Sequence, residues 1–162
     1  MSLPLDRLTI KAREAVTRAQ EHALGQQHQF VTPLHLLATL TDDPRGVVGM
    51  VLERIGVDTA TLQTLIAGEL DRLPKVTGDA SQLALSPDMP GVLATAGQRS
   101  ETMGDSFLST EHLFLALVDS SETAGRLLAL LAIEEQDVLE ALAAIRGNQQ
   151  VTDDTPEEKY DA

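Results

Sequence analysis

Phe30-Val31-Thr32-Pro33-Leu34-His35-Leu36-Leu37-Ala38-Thr39-Leu40 returns, in residue type, as Phe107-Leu108-Ser109-Thr110-Glu111-His112-Leu113-Phe114-Leu115-Ala116-Leu117. The offset is constant, 107 − 30 = 77 and 112 − 35 = 77, and Phe, His and two Leu recur identically. Thr32 and Ser109 open the two runs as helix N-caps, because a hydroxyl oxygen there takes up a backbone N–H left free in the first turn. Pro33 fits the following position, where no N–H is needed. His35 and His112 fall at the third helical position, from which a side chain reaches back to the cap residue. A long fixed period of this kind implies an architecture built twice.

The duplication extends outward. Upstream, Leu8, Val16 and Ala19 face Leu85, Leu93 and Ala96 at the same offset. Downstream, Leu52, Ile55, Val57 and Leu62 face Leu128, Leu131, Ile133 and Val138, where 133 − 57 = 76. The one-residue difference falls in a loop around 41–46, where changes of length are tolerated. Each half therefore holds about four helices. Alanine and leucine dominate and β-branched alternation is missing, so the fold class is all-α: two pseudo-symmetric four-helix repeats.

The local signals place the helices. The first runs from an N-cap at Thr9 to Leu24, stopped by Gly25, with Ala12, Ala15, Val16, Ala19 and Ala23 as a narrow face of small residues. The second follows Thr32-Pro33. The third carries Val47, Val48, Val51, Leu52 and Ile55, with Gly56 placed for a left-handed C-terminal turn. Asp58 caps a fourth, with Leu62, Leu65, Ile66 and Leu70 inward and its end near Pro74. The fifth, around 88–101, is the weak one: Gly91 and Gly97 each cost about 1 kcal/mol against Ala, and Pro90 requires Asp88 as the cap. The sixth starts at Ser109, the seventh holds Leu127, Leu128, Leu130 and Leu131, and the eighth ends at Ile145-Arg146-Gly147. This assigns 1–147 to one domain: repeat one at 1–74, a join at 75–85 with Gly78, Asp79 and Ser81 as loop residues, and repeat two at 86–147. The stretch 148–162 is polar and acidic, which predicts a flexible tail, dispensable for stability.

Composition removes several functions. Net charge is −13, with 25 acidic against 12 basic residues, a surface that repels phosphate backbones. Aromatic residues make up 2%, too few for a base-stacking platform. No apolar run approaches the ~20 residues that cross a bilayer. Met1-Ser2-Leu3-Pro4 lacks the features of a signal peptide, and cysteine is absent, which fits a reducing cytoplasm. The reading is a domain that binds neither nucleic acid nor membrane.

No catalytic constellation is present in the sequence either. There is no G-x-x-x-x-G-K-[ST], so this stretch implies no nucleotide cradle, and no G-x-S-x-G elbow. His22, His28, His35 and His112 lack metal-ligand spacing, and the helix-start positions of two of them imply structural roles. The carboxylate pairs Asp42-Asp43, Glu134-Glu135 and Asp153-Asp154 sit at expected helix starts or in the tail, where adjacent side chains diverge. No cofactor or metal is implied, and a binding module fits better than an enzyme.

Two motifs add a resemblance. Leu5-Asp6-Arg7-Leu8-Thr9 and Gly104-Asp105-Ser106-Phe107 with Glu111-His112-Leu113 resemble the "LDRLT" and "GDxF…EHL" segments in the N-terminal domain of the Clp/Hsp100 ATPases. Leu70-Asp71-Arg72-Leu73-Pro74-Lys75-Val76 and Pro156-Glu157-Glu158-Lys159-Tyr160 resemble the disaggregase branch of that family, and the similarity spans essentially the whole chain. The resemblance implies a non-catalytic domain, monomeric in isolation, that rides on a hexameric ATP-driven ring. It implies binding of unfolded or aggregated polypeptide, or of an adaptor, and a reading frame that continues past Ala162 into an ATPase module. It also implies a shallow apolar groove near the repeat interface, rimmed by Thr9, Asp105 and Glu111 as exposed residues. Met89, Val92 and Leu93 are candidates for its floor, although Val92 and Leu93 fit the core equally well. Thr95 and Arg99 stand where the family often has further apolar residues, which implies a smaller groove. The alternatives are the adaptor-binding domain of a Clp protease ATPase and a freestanding helical adaptor or scaffold.

Overall fold

The computed structural model describes residues 5–77, 83–147 and 149–160. Gly78, Asp79 and Ser81 of the join lie outside the described residues, as do Met1-Ser2-Leu3-Pro4, Asn148, Asp161 and Ala162. Among the described residues the first repeat contains α1 (Ile10–Gly25), the two-residue strand β1 (Phe30–Val31), α2 (Pro33–Leu40), α3 (Val47–Ile55) and α4 (Thr59–Asp71). The second contains β2 (Ala84–Leu85), α5 (Met89–Thr102), α6 (Thr110–Val118), α7 (Thr123–Leu130) and α8 (Glu135–Arg146). Short 3-10 turns lie at Leu5–Arg7 and Pro156–Tyr160. The fold is all-α, with eight α-helices among the described residues in two matched sets of four.

The repeats are interlocked rather than stacked. β1 pairs in parallel with β2, with Val31 opposite Leu85. Leu8 makes a parallel bridge with Leu108. Because 85 − 77 = 8 and 108 − 77 = 31, this is the same pairing with the repeats exchanged. The Ser86 N–H donates to the Val31 carbonyl at 2.9 Å, and the Thr9 N–H to the Leu108 carbonyl at 3.0 Å. Each repeat's entry to its first helix is thus hydrogen-bonded to the other repeat's approach to its second. The two halves share one continuous core. At its centre α2 and α6 touch each other and the opposite repeat, with Leu36, Leu37, Leu113, Leu115 and Leu117 fully enclosed.

The caps predicted at Thr9, Thr32, Asp58 and Ser109 are in place. The Thr9 hydroxyl accepts from the Ala12 N–H at 3.1 Å, and Asp58 accepts from the Ala60 N–H at 3.0 Å. Thr32 and Ser109 each form a capping box in which the third residue is His35 or His112. Asp88 precedes α5 and puts Pro90 at its second position, but its side chain accepts from the Ser86 hydroxyl instead of capping. Gly25 does not stop α1. The helix includes it, and the chain reverses at Gln27, whose φ is 61°; the matched residue of repeat two, Gly104, has φ 73°. Gly49 and Gly125, matched at an offset of 76, are close-approach residues. A Cβ would lie 2.6 Å from the Asp43 carbonyl oxygen in one case and 1.8 Å from that of Ser120 in the other.

Two expectations are corrected. Met89, Val92 and Leu93 are 0%, 6% and 5% exposed, so they do not floor an open groove. The offset explains why: they match Ala12, Ala15 and Val16 on the buried face of α1, and α5 buries the same stripe. The stretch 149–160 is not a free tail. Val151 is completely buried, and Glu157 and Tyr160 are buried too. Composition misled because the segment is held through backbone hydrogen bonds and a carboxylate, which a count of apolar residues does not register.

Candidate partner-binding site

Thr9, Asp105 and Glu111 do come together, but beneath the surface: they are 0%, 5% and 1% exposed. The expectation of exposed rim residues is corrected by what covers them. In the α6 capping box the Ser109 N–H donates to His112 Nδ1 at 2.8 Å, so His112 turns Nε2–H toward Asp105 Oδ2, 2.7 Å away. Arg146, the last residue of α8, places Nη1 3.0 Å from the same Asp105 oxygen and Nε 3.1 Å from Glu111 Oε2. Glu111 in turn accepts from the Ser109 hydroxyl. A buried arginine thus bridges two buried carboxylates; its single charge is shared between them, and the His112, Val151 and Ser109 donors supply the remaining hydrogen bonds.

The segment 149–160 closes over this cluster as a strap. The Val151 N–H donates to Asp105 Oδ1 at 2.9 Å, and the Ser106 N–H donates to the Val151 carbonyl at 2.7 Å. Further on, the Ile10 N–H donates to the Asp154 carbonyl at 2.9 Å. Glu157 then accepts from the Thr9 hydroxyl at 2.7 Å and from the Thr110 N–H, in the first turn of α6, at 3.1 Å. Burial pushes the Glu157 carboxyl above its ordinary value, and Glu111 adds to this against the opposing hydrogen bonds. For Asp105, burial raises the value, but the hydrogen bond from His112, the Val151 amide and Arg146 together outweigh it, so the net shift is downward. Burial likewise pushes the Tyr160 phenol up; its ring lies 5.8 Å from the Arg146 guanidinium carbon.

Repeat one has the same niche with different contents. His28 matches Asp105, and Leu70 matches Arg146 at the offset of 76. The Thr32 N–H donates to His35 Nδ1 at 2.9 Å, and His35 Nε2 meets His28 Nδ1 at 2.8 Å. Two neutral imidazoles therefore replace the charged set. Burial holds both below the ordinary value of 6.5, His35 down to about 4; Lys75 and His22 add to the lowering of His28, and His28 and His22 to that of His35.

Beside the strap runs an open cleft of about 270 Å³ between α1 and the α2–α3 connection. Buried apolar groups of Ala15, Leu40, Val47 and Val48 line it, with Lys11, Arg18 and Arg45 and the acidic Glu14 and Asp43 around them. Thr110, Glu157 and Glu158 form its strap-side wall. The sequence reading missed this cleft, since it joins residues far apart in the chain and no motif marks it. Arg99 is explained differently: it pairs with Asp119 at 2.7 Å and Glu135 at 2.5 Å, tying α5 to the loop after α6 and to α8. Among the described residues no cluster of three or more His, Cys, Asp or Glu could hold a metal, and no helix is long and apolar enough to cross a membrane.

An interlocked double repeat of short helices, with a strap closed over a buried polar cluster, defines the class: an all-α domain of two matched helical repeats. The family model described as the Clp repeat (R) N-terminal domain matches residues 7–131, and the chain belongs to this family. It is 33% identical over 162 residues to the chaperone protein ClpB of Rhodopirellula baltica, covering 100% of this chain and 18% of that protein. It is 34% identical over 157 residues to chaperone protein ClpB 1 of Parasynechococcus marenigrum, covering 97% of this chain and 18% of that one. The chain thus spans about a fifth of the length of these relatives. The N-terminal domain of Hsp104 from Candida albicans shares the fold with a TM-score of 0.81 at 18% identity, over 93% of this chain and 98% of that one. The N-domain of ClpV from Vibrio cholerae does so with 0.73 at 23% identity, over 89% of each chain. A ClpV N-domain has also been solved in complex with a VipB peptide; it matches with a TM-score of 0.73 at 23% identity, over 88% of this chain and 90% of that one.

Proposed function

We propose that this chain is the polypeptide-binding domain of an ATP-driven protein disaggregase of the ClpB type, working in the cytoplasm and supplying binding rather than catalysis. The observation that carries this reading is the family match over 7–131 together with the similarity of the whole chain to ClpB chaperones. The cleft between α1 and the α2–α3 connection is the contact surface: Lys11, Glu14, Arg18, Asp43 and Arg45 present side chains of both charge signs to a bound segment, over a base to which Ala15, Leu40, Val47 and Val48 add only a little open apolar surface. The hexameric ring and its ATPase modules belong to the longer protein in which such a domain works. A narrower reading, in which one adaptor or partner peptide docks in place of general clients, is favoured by the ClpV N-domain that was solved with a VipB peptide.

The test is a titration of the chain with a permanently unfolded, fluorescently labelled client, with and without ATP and with competing DNA. Binding is expected at micromolar concentration or weaker, about −8 kcal/mol at best, since a shallow cleft must offset the ordering of a flexible chain. ATP and DNA should leave it unchanged. Binding that depends on nucleotide, or a preference for DNA, contradicts the reading. Saturable binding of one partner's peptide without binding of unfolded clients would select the adaptor alternative.

A further inference from the structure

The strap makes its contacts in the way a bound peptide would. Its backbone is read by Ser106 and Ile10 N–H groups and by the Asp105 carboxylate, contacts that any extended segment can make. Two side chains add selectivity: Val151, completely buried, and Glu157 six residues later, received by the Thr9 hydroxyl and the Thr110 N–H. The fit is imperfect. Arg146 Nη2, Glu157 Oε1 and the Tyr160 hydroxyl are all buried at this interface without a hydrogen-bond partner. An imperfect occupant persists when it is tethered, because its effective concentration is in the millimolar range for a short connection. It then yields to a partner that satisfies those groups better.

We propose that residues 149–160 are an internal occupant of a second peptide groove, displaced by an extended polypeptide segment that carries an apolar residue and, six positions later, a carboxylate. This rests on the reading of the chain as a polypeptide-binding domain. Thr9, Asp105 and Glu111 reach a partner only when the strap lifts, which reconciles their burial here with a site at these residues. Hydrogen-bond donors decide the class of ligand: the pocket at Thr9 and Thr110 offers an O–H and an N–H to a carboxylate oxygen, and Arg146 still has an unused N–H.

The experiment uses the full chain and a capped peptide of the sequence of residues 149–160 as the probe. The chain has no cysteine, so an Ile10→Cys/Asp154→Cys pair can pin the strap when oxidised and free it when reduced. A Val151→Asp variant, in which a carboxylate replaces the buried valine, should release the strap outright. At millimolar peptide the amide resonances of Ile10, Ser106 and Thr110 should shift in the Val151→Asp chain, and at least tenfold less in the oxidised cysteine pair. If Val151→Asp does not fold, the reduced against the oxidised pair carries the comparison. Equal peptide binding by the oxidised and reduced forms, or no shift at these amides in a folded Val151→Asp chain, overturns the proposal. Loss of the redox-dependent peptide shift with client binding retained would overturn it while leaving the chaperone reading intact. Peptide shifts that depend on the redox state, without any client binding, would support the strap and sink the chaperone reading.

Discussion

At three matched positions the two repeats solve one problem differently: residues 28, 35 and 70 are His, His and Leu, and residues 105, 112 and 146 are Asp, His and Arg. In both, the histidine at the third position of a helix closes a capping box and so must point its second nitrogen into the core. What that nitrogen meets is free to vary. Repeat one answers with a second imidazole, keeping the niche neutral, and the following segment is held by a backbone bridge between His28 and Lys75. Repeat two answers with a carboxylate, which requires Arg146 and leaves an acceptor oxygen for the strap at Val151. The lesson is that a duplicated backbone preserves the cap geometry, while two substitutions at its open end decide whether the niche is neutral or holds a charged set that bonds the strap at Val151.

The comparison is broken most severely by removing the cation. Arg146→Leu gives repeat two the residue of repeat one, but leaves Asp105 and Glu111 buried without their arginine. A loss of about 3–5 kcal/mol is expected from urea unfolding, because uncompensated buried charge costs far more than a missing contact. A loss under about 1 kcal/mol would mean that water or His112 already satisfies these carboxylates.

A smaller effect separates the repeats by pH. The folded-state values of His28 and His35 lie below 6.5, so protonation favours the unfolded chain. Stability from this pair is fully present above pH 6.5 and is lost as pH falls toward about 4. Lys75 and His22 reinforce the shift of His28, and Asp71 opposes it. The Asp105 value is depressed below 3.8, so stability held there is lost only on further acidification. For His35 a displacement of this size corresponds to about 3 kcal/mol. His28→Asp, which copies repeat two, should therefore flatten unfolding free energy between pH 6.5 and 4.5, with at most about 1 kcal/mol of loss remaining. An unchanged slope in that variant would show that other groups set the acid response.

The smallest expected effects come from the left-handed turns. Repeat one has Gln27 where repeat two has Gly104, and repeat two has Ala132 where repeat one has Gly56; all four have positive φ. Gln27→Gly and Ala132→Gly should each stabilise by about 0.5–1 kcal/mol, since only glycine adopts this region without a Cβ penalty. Gly104→Ala should destabilise by about 1 kcal/mol through its φ of 73°, since the nearest group to the new Cβ is the movable tip of the Gln150 side chain. Equal and negligible shifts in thermal midpoint for all three would remove turn strain from the account.

Much of this was legible from one-dimensional signals. The period of 77 residues predicted two sets of helices, and the hydroxyl–x–x–His pattern predicted both capping boxes with their histidines turned back. The candidate site was legible only in part. Thr9, Asp105 and Glu111 were named by their motifs and do meet, but their exposure was misjudged, because a helix start is open to solvent unless another segment covers it. The strap that does so has few apolar residues, and its attachment through amides and carbonyls leaves no trace in composition. Met89, Val92 and Leu93 carried their correction in the sequence all along, since the same offset pairs them with the buried face of α1.

The sequence alone determined the helical class, the number of repeats, the caps and the central apolar helices, because these follow from local periodicity and from hydrogen-bonding rules that act within a few residues. Only the tertiary structure decided that the repeats exchange their opening strands, that His28 and Asp105 occupy equivalent niches with opposite electrostatics, and that residues 149–160 lie over the polar cluster. These are contacts between groups separated by dozens of residues. They depend on which backbone donors remain unpaired once the helices have packed, a quantity that exists only after the chain has folded.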